Sequence, residues 1–475
     1  MGGLEAVELR FSQVLEDNSF RFDSEYFKKK YLEEDIYREK FENKYLKDIA
    51  FITDGQHGYH EIDENSKISH ITAKNTKNWF TDTINTDKLA QWVDDKNKRS
   101  SLQVGDILFS TRGTVGQCSL VKKEVLPANI DQDLVRIDIL VDFVKPSYLL
   151  VYMNSKFGQD WAKRNSSGMV QQGIPISRMK NFPLPITNQE FQILIENLVN
   201  SSYIKKEDSK TLYKEAENLL LKELDLLGCK PSKENISIKS FSESFGSSGR
   251  LDSEYYLPKY IQYIEILKNY KYSWKSIQEV LINDIKSGTT PKSIIKKYIP
   301  NSNYFFRAEA FNNDLTLTYE NLYSMSDEVF ENYPNITVKQ NDILVSMTGT
   351  IGSVAIVTKK IDGIINQNIV KLSVNQEIIN HNVLALYIKI IGKTLLTREQ
   401  TGNVQPYVNI PNFSNLIVPL IDKKIQTQIE DKIKESFRLK EESKELLELA
   451  KRGVEVAIEE GEEVAMEFIG DIKNG

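Results

Sequence analysis

The chain carries one ordered set of segments twice, and this duplication limits its fold more than any other feature of the sequence. Arg21–Tyr31 (RFDSEYFKKKY) returns at Arg250–Tyr260 (RLDSEYYLPKY), an offset of 229 residues. Gly105–Val121 returns at Asn341–Val357, an offset of 236 residues. A period this long is not that of a solenoid, whose repeats span 20 to 50 residues, so a whole module is duplicated.

Each copy changes its hydrophobic periodicity part-way along. The first part has short segments rich in β-branched residues beside glycine or proline, such as Asp106–Ser110, Ser119–Lys122 and Leu134–Ile139, which predicts short strands. The second part follows Thr187–Glu190 and repeats apolar residues every three or four positions until Gly228, which predicts one long amphipathic helix. The second copy ends on a similar helix.

We therefore predict an α+β protein in which two similar β-rich mixed domains are separated by a pair of long antiparallel, coiled-coil-like helices. A helix of about 35 residues is roughly 50 Å long. The apolar stripe of each helix fits packing either on its own domain or against the other helix, and the duplication favours the second arrangement. The predicted parts are a domain at 1–186, a helix at 187–228, a domain at 229–420, a helix at 421–463 and an acidic tail at 464–475.

Composition limits the location and partners of the chain. Its net charge of −6 equals the balance of seven acids and one lysine within residues 453–475, so the rest of the chain is neutral. Neutrality permits local basic surfaces for nucleic acid without requiring them. Because the start has no secretory pattern and the apolar runs are short, we expect a cytoplasmic protein. Cys118 and Cys229 are expected to be packed thiols rather than metal ligands.

Several repeated motifs resemble those of one known family. The pattern D-I-L-x-S-x-x-G-T-x-G, at Asp106–Gly116 and Asp342–Gly352, is similar to the signature of target-recognition domains in type I restriction–modification specificity subunits. The resemblance continues through the segments around Gln132 and Gln367, and through Gly168, Gln171 and Ile176 with their counterparts Gly402, Gln405 and Ile410. Ser287–Pro291 resembles the S-G-G-T-P turn that opens such domains, whereas the first copy has Asp54–Gly58 there.

The resemblance implies a non-catalytic, sequence-specific DNA-binding subunit. Each target-recognition domain would read one half of a bipartite, asymmetric double-stranded DNA site. The helices would set the spacing and dock two methyltransferase subunits, and restriction and translocase subunits would join them. Adenine methylation with S-adenosylmethionine and cleavage with ATP and Mg²⁺ would belong to the partner subunits, and this chain would hold no cofactor.

Two other functions fit the sequence less well. A non-DNA assembly scaffold, with two protein-binding modules on a coiled-coil rod, suits the balanced charge. An enzyme is disfavoured because the chain has no Asn/Asp-Pro-Pro-aromatic methyltransferase motif. The segment Lys389–Thr394 (KIIGKT) resembles the end of a phosphate-binding loop, but Tyr387 occupies the position that requires glycine.

The comparison of the two copies also predicts where DNA sequence would be read. Two domains that read different half-sites cannot obtain their different base preferences from residues that they share. Ser110/Ser346 and Gly113/Gly349 therefore belong to the scaffold or to phosphate contact. Arg112 opposite Thr348 is a difference with base-reading chemistry. We predict no catalytic or metal-binding residue. The predicted DNA-contacting residues are Arg112, Thr114, Gln171, Gln172, Arg178, Lys74 and Lys77 in the first copy and Thr348, Thr350, Gln405, Tyr407, Asn409 and Lys292 in the second.

Overall fold

The structure is a computed structural model that describes residues 7–9, 23–168, 172–292, 302–320, 322–402 and 404–474. The chain forms two compact units. The first unit contains the described residues up to Lys206 together with those from Glu441 onward, and the second unit is Glu207–Lys440. The two long helices, Gln189–Glu223 and Lys423–Glu460, therefore each contribute a segment to both units.

The first unit is built from short strands and short helices. Its strands are β1 (Glu42–Tyr45), β2 (Ala50–Asp54), β3 (Ile68–Ile71), β4 (Lys88–Leu89), β5 (Ile107–Ser110), β6 (Cys118–Leu120), β7 (Ala128–Ile130), β8 (Leu134–Ile139) and β9 (Pro183–Ile186). Its α-helices are Lys29–Glu39, Leu46–Ile49, Gln91–Lys96, Pro146–Asn154, Lys156–Asn165 and Ile176–Met179, and its 3-10 helices are Ala73–Thr76, Lys98–Ser100 and Lys123–Val125.

The second unit repeats this composition. Its strands are β10 (Trp274–Ser276), β11 (Lys286–Ser287), β12 (Asn303–Phe306), β13 (Tyr323–Met325), β14 (Ile343–Ser346), β15 (Val354–Ile356), β16 (Gly363–Ile365), β17 (Ile369–Leu372) and β18 (Ile417–Pro419). Its α-helices are Phe245–Ser248, Pro258–Lys268, Asp327–Glu331, His381–Tyr387, Lys393–Arg398 and Ile410–Ser414; its 3-10 helices are Ser253–Tyr256, Ile277–Val280, Ala308–Ala310 and Pro334–Ile336, and Ile388–Gly392 is a π-helix.

The two units have the same sheet topology. In the first unit, strand order is β2-β8-β5-β6 in an antiparallel sheet, β4-β3-β7 in a mixed sheet with β3 parallel to β7, and β1-β9 in a two-stranded sheet. Adding nine to each strand number gives the three sheets of the second unit, including the parallel pair β12 and β16. Nine strands pairing in one order twice confirm that the sequence repeat is a duplicated fold. They also confirm the predicted mixture of helix and strand.

Strands β5 and β14 of the four-stranded sheets are buried on both faces, which explains their continuous apolar runs. Successive side chains of a strand point to opposite faces. Ile107 and Phe109 accordingly pack in one hydrophobic cluster, while Leu108 between them packs in another. The second unit repeats this alternation with Val345 and Leu344.

The long helices begin at Gln189 and Lys423, close to the predicted positions 187 and 421, and their apolar stripes contact both their own unit and the other helix. Asn188 caps the first helix, because its Oδ1 accepts a hydrogen bond of 2.8 Å from the backbone N–H of Phe191. In the first unit, Ile195 of this helix joins the cluster that contains both sheet residues and Val454 of the second helix. The first helix ends at Glu223, before the predicted end at Gly228. Asp225, just beyond the helix, adopts a left-handed conformation with φ of 54°.

Pairs of buried serines join the two helices in each unit. In the first unit, the Ser202 hydroxyl donates to the Ser443 carbonyl at 2.8 Å, and Ser443 donates in return to Ser202. In the second unit, Ser209 and Ser436 exchange the same bonds at 2.7 and 2.8 Å. The repeat offset makes Ser202 equivalent to Ser436 and Ser209 equivalent to Ser443. Each unit therefore contains the same antiparallel contact, with the roles of the two helices exchanged.

The C-terminal segment differs from the prediction of an acidic tail. Residues Glu462–Asn474 form a helix. Its Ala465 and Ile469 are almost fully buried in the main cluster of the first unit, and Glu462 accepts a hydrogen bond of 2.7 Å from the backbone N–H of Asn188. Because the acidic residues alternate with apolar ones at helical spacing, the segment packs as an amphipathic helix.

The serine pairs should limit side-chain size at the helix contact. We expect Ser202→Leu to lower stability by about 2–3 kcal/mol, because the helices approach closely enough for hydroxyl–carbonyl bonds and leave no room for a larger side chain. Removing both hydroxyls with Ser202→Ala/Ser443→Ala should cost less than about 1 kcal/mol, since neither partner is left unpaired. Thermal unfolding of the purified chain measures both changes. Equal destabilisation by the two variants would contradict the close-contact explanation.

Candidate nucleic-acid interface

Three loops of each unit meet at one edge of its four-stranded sheet. In the first unit the loops are loop A (54–58, after β2), loop B (111–116, after β5) and loop C (131–133, before β8). The antiparallel register pairs Asp54 with Val135 and Ser110 with Leu134, so the end of β2, the start of β8 and the end of β5 lie together. In the second unit loop A is 287–291, loop B is 347–352 and loop C is 366–368, with Ser287 paired to Val370 and Ser346 to Ile369.

A fourth loop is hydrogen-bonded to this edge. Loop D is 166–175 in the first unit and 400–409 in the second, and each lies between two helices. Ser167 and Gly173 exchange two backbone hydrogen bonds of 3.0 and 2.9 Å across the first loop D. Thr401 and Tyr407 do the same across the second at 2.8 and 2.9 Å. Loop D is thus closed at its base in both units.

Backbone hydrogen bonds join loop B to loops C and D in the same way in both units. Thr111 donates its N–H to the Asp133 carbonyl at 2.9 Å, and its own carbonyl accepts from Ile174 at 3.0 Å. In the second unit Met347 donates to Asn368 at 2.8 Å and accepts from Val408 at 3.0 Å. These bonds use no side chain, so the loop positions are maintained whichever side chains the loops carry.

Loop A reaches loop C through a glycine in both units. A Cβ atom on Gly55 would lie 2.0 Å from the carbonyl oxygen of Ile130, which ends β7, and 2.3 Å from that of Asp131 in loop C. A Cβ atom on Gly288 would lie 1.9 Å from the carbonyl oxygen of Ile365 and 2.5 Å from that of Asn366. Asp54–Gly58, which departs from the family turn in sequence, therefore makes the same close approach as Ser287–Pro291. In the second unit the Thr290 hydroxyl also donates to the side-chain oxygen of Gln367.

The serines shared by the two copies hold loop B from inside. Ser110 and Ser346 are fully buried. The Ser110 hydroxyl donates to the Arg112 carbonyl at 3.0 Å, and the Ser346 hydroxyl donates to the Thr348 carbonyl at 3.0 Å. Gly113 and Gly349 follow with the same left-handed φ of 72°. This geometry supports the scaffold role that the comparison of the copies predicts for these residues.

Most of the predicted DNA-contacting residues lie together on loops B and D. In the first unit these are Arg112, Thr114 and Gln172, all exposed. In the second unit they are Thr348, which is half-buried, and Thr350, Gln405 and Tyr407, which are exposed. Gln171 lies outside the described residues. The contacts of these residues with DNA stay predictions.

Two other predicted residues, Arg178 and Asn409, make contacts within their own unit. Arg178 donates from Nη1 to the Asn165 carbonyl at 3.1 Å, and Asn412 donates from Nδ2 to the equivalent Glu399 carbonyl at 3.4 Å. Asn409 caps a short helix by accepting from the Asn412 N–H at 2.8 Å. The difference between Arg178 and Asn412 therefore preserves one internal contact.

The predicted lysines are exposed beside the loops or next to a strand of the sheet. Lys74 lies within the 3-10 helix Ala73–Thr76, which packs against β5, and Lys77 follows it. Lys292 comes directly after loop A of the second unit. Exposed ammonium groups of this kind suit phosphate contacts.

Loop C contains a difference that the sequence comparison did not single out. Asp131 and Asp133 of the first unit correspond to Asn366 and Asn368 of the second. Asp131 accepts a hydrogen bond from the Asp133 N–H at 3.0 Å, and Asn366 accepts the equivalent bond from Asn368 at 3.2 Å. Burial raises the pKa of Asp131 to about 6, although hydrogen bonds to its carboxylate oppose the rise. This difference is visible in the aligned segments IDQD and INQN, where aspartates of the first copy correspond to asparagines of the second.

Among the described residues, no group of three or more His, Cys, Asp or Glu side chains is arranged to hold a metal ion. No helix in the described part of the chain has the length and apolar character needed to cross a bilayer. The segment Lys389–Thr394, which resembles the end of a phosphate-binding loop in sequence, is helical, with π-helix up to Gly392 and α-helix from Lys393.

A family model described as the type I restriction modification DNA specificity domain matches the chain twice, at residues 38–211 and 232–449. The chain belongs to this family. Both copies of the specificity domain include loops A to D and most of one long helix. The resemblance that the repeated motifs suggested is thereby confirmed.

Individual relatives are more distant. The type I restriction enzyme EcoBI specificity subunit of Escherichia coli is 26% identical over 109 residues, which are 22% of this chain and 23% of that protein, so the match spans about a quarter of the relative. The S subunit of a type I restriction–modification system from M. genitalium is 12% identical and covers 88% of this chain and 95% of its own, with a TM-score of 0.45. The HsdS subunit from Thermoanaerobacter tengcongensis is 14% identical over 89% of this chain and 97% of its own, with a TM-score of 0.28.

The close approach of loop A to loop C predicts the effect of adding one methyl group. We expect Gly55→Ala and Gly288→Ala each to destabilise the protein by about 3 kcal/mol or more, because the new Cβ would meet a backbone carbonyl that cannot rotate away. Gly113→Ala is the matched control. It has open space and only the left-handed backbone cost of about 1–2 kcal/mol. Thermal unfolding of the variants tests this order of stability. Equal melting points for Gly55→Ala and Gly113→Ala would contradict it.

The raised pKa of Asp131 predicts a pH dependence of stability. Between its ordinary pKa of 3.8 and about 6, the folded state holds a proton that the unfolded state has lost. Stability should therefore fall as pH rises through this range. Asp131→Asn should remove this contribution and stabilise the protein at pH 7 by about 1–3 kcal/mol. The reciprocal Asn366→Asp should introduce the same slope in the second unit. Melting points of the three proteins at pH 4.5 and pH 7 measure the effect, and parallel pH profiles would refute it.

Proposed function

We propose that this chain is the DNA-reading subunit of a type I restriction–modification complex and that the loop edge of each unit reads one half of a bipartite, asymmetric site. One observation carries the proposal: the backbone hydrogen bonds that join loops B, C and D are the same in both units, whereas several side chains on these loops differ. A protein that bound two identical ligands would have no use for this difference. Two different half-sites require it.

The long helices supply what a bipartite site needs in addition to two readers. Bases between the half-sites are not contacted, so the distance between readers must be set by the protein. Two continuous helices that run from one unit into the other, with the same antiparallel serine contact in each, suit this task. We propose that they set the spacing and that they dock two methyltransferase subunits.

The reactions themselves are assigned to partner subunits. We propose that this chain contributes no catalytic residue and binds no cofactor. S-adenosylmethionine would then be held by the methyltransferase subunits, and ATP and Mg²⁺ by restriction and translocase subunits. This assignment also places the chain in the cytoplasm, where such a complex meets DNA.

Methylation mapping of the genome of the native host tests the proposal. We expect the wild-type genome to carry methyladenine in a motif of two specified blocks separated by a fixed number of unspecified bases. Deletion of this gene should abolish methylation of that motif alone, and a plasmid copy should restore it. A methylome that the deletion leaves unchanged, or loss of a motif with one uninterrupted block, would contradict the proposal.

Binding measurements distinguish DNA reading from a scaffold function. The chain purified with its methyltransferase partner should retain DNA that contains the motif, and retention should fall steeply with salt because phosphate contacts release counterions. DNA with one scrambled half-site is the matched control and should bind more weakly. Equal retention of both DNAs would contradict sequence reading, and no retention at any salt concentration would favour the scaffold.

A further inference from the structure

Two aligned positions differ in base-reading chemistry and also lie side by side. They are position 112, on loop B, and position 133, on loop C, which correspond to 348 and 368 in the second unit. The backbone hydrogen bond from Thr111 to Asp133 places them together in the first unit, and that from Met347 to Asn368 does so in the second. The same site is therefore occupied by Arg and Asp in one unit and by Thr and Asn in the other.

In the first unit the two side chains form an exposed ion pair. Arg112 Nη1 lies 3.4 Å from Asp133 Oδ1, and the side chains are 46% and 36% exposed. An ion pair of this length and exposure contributes little to stability. A carboxylate beside a DNA-binding loop also repels phosphates. Neither residue is explained by what it does for the folded unit, so a ligand is the remaining explanation for both.

We propose that Arg112 and Asp133 together read one G·C base pair, and that Thr348 and Asn368 read one A·T base pair at the equivalent position of the other half-site. This inference rests on the proposed function. It goes further by naming the residues and the bases that they select.

The chemistry of the first pair matches the major-groove edge of G·C. A guanidinium donates two hydrogen bonds to O6 and N7 of guanine, and a carboxylate accepts from the N4 amino group of the paired cytosine. The ion pair orients the guanidinium before DNA binds, so less side-chain conformational entropy is lost on binding. It also offsets the repulsion between the carboxylate and the phosphates.

The chemistry of the second pair matches A·T. A carboxamide accepts from N6 and donates to N7 of adenine, and the methyl group of threonine packs on the methyl group of the paired thymine. Asn368 is half-buried, and its backbone N–H is held by Asn366. Thr348 is half-buried as well, with its carbonyl held by Ser346. The backbone of both residues is thus fixed by the framework while the side chains differ from those of the first unit.

A reciprocal exchange between the two units tests the inference. The double variant R112T/D133N gives the first unit the residues of the second, and T348R/N368D does the opposite. Each is introduced on the chromosome of the native host, and the methylome is sequenced. R112T/D133N should replace a G·C by an A·T preference at one position of one half-site, and T348R/N368D should do the reverse in the other half. The preference at each position should change by about five- to 150-fold.

The matched control removes a different exposed ion pair from the first unit. Lys29 and Glu33 lie 3.6 Å apart on the helix Lys29–Glu39, with side chains 67% and 54% exposed. K29T/E33Q should leave both half-sites unchanged. This control separates loss of charge from loss of base reading.

The outcomes distinguish the inference from the proposed function. A wild-type methylome without a bipartite motif would overturn both. A bipartite motif that neither exchange alters would overturn the inference and leave the function standing, as would a change spread over many positions. If a variant methylates nothing, the purified complex is assayed for folding and then competed with duplexes that carry each of the four base pairs at every position. Unchanged base preference in that competition would also overturn the inference.

Discussion

The backbone hydrogen bond between loops B and C is the contact on which the arrangement of the loops in each unit depends. It runs from Thr111 to Asp133 in one unit and from Met347 to Asn368 in the other. Main-chain atoms make it in both units, and in the first unit the Thr111 hydroxyl donates to the same carbonyl at 3.0 Å. A buried serine fixes loop B on one side, and a glycine admits loop A on the other. The framework thus holds each loop in place, while the side chains that the loop carries can differ between the two units.

The contact between the two long helices also depends on residues that both copies share. Each serine pair is made from one residue of each copy, so a duplicated helix supplies its own partner. Ser202 pairs with Ser443, the counterpart of Ser209, and Ser209 pairs with Ser436, the counterpart of Ser202. An antiparallel contact with this exchange arises directly from duplication, because one helix sequence contains both halves of the contact. No second sequence had to evolve to fit it.

The fold was largely predictable from the sequence, and the site was predictable in part. The strand Leu134–Ile139 has its predicted bounds because β-branched residues and local turn signals define it. The C-terminal helix was missed because its acidic residues were treated as a charge excess rather than by their spacing. Asp133 was missed because its relation to Arg112 depends on a hydrogen bond between residues 22 positions apart. Such pairings follow from topology, which the sequence periodicity does not specify.

The differences between the two copies fall into two physical kinds. Some preserve a contact with another residue type: Arg136 lies 2.6 Å from buried Asp106, and Lys371 lies 3.9 Å from the equivalent Asp342. A buried carboxylate without a cationic partner would destabilise the fold, so this position carries a cation in both copies.

On loops B and C the ion pair of Arg112 and Asp133 is exposed, so neither residue is needed to balance a buried charge. Arg and Asp in one unit correspond to Thr and Asn in the other. These two differences leave the backbone contacts of the loops unchanged, as the proposed reading of different bases would need. Two copies with one framework and two such sets of side chains are what the reading of two different half-sites requires.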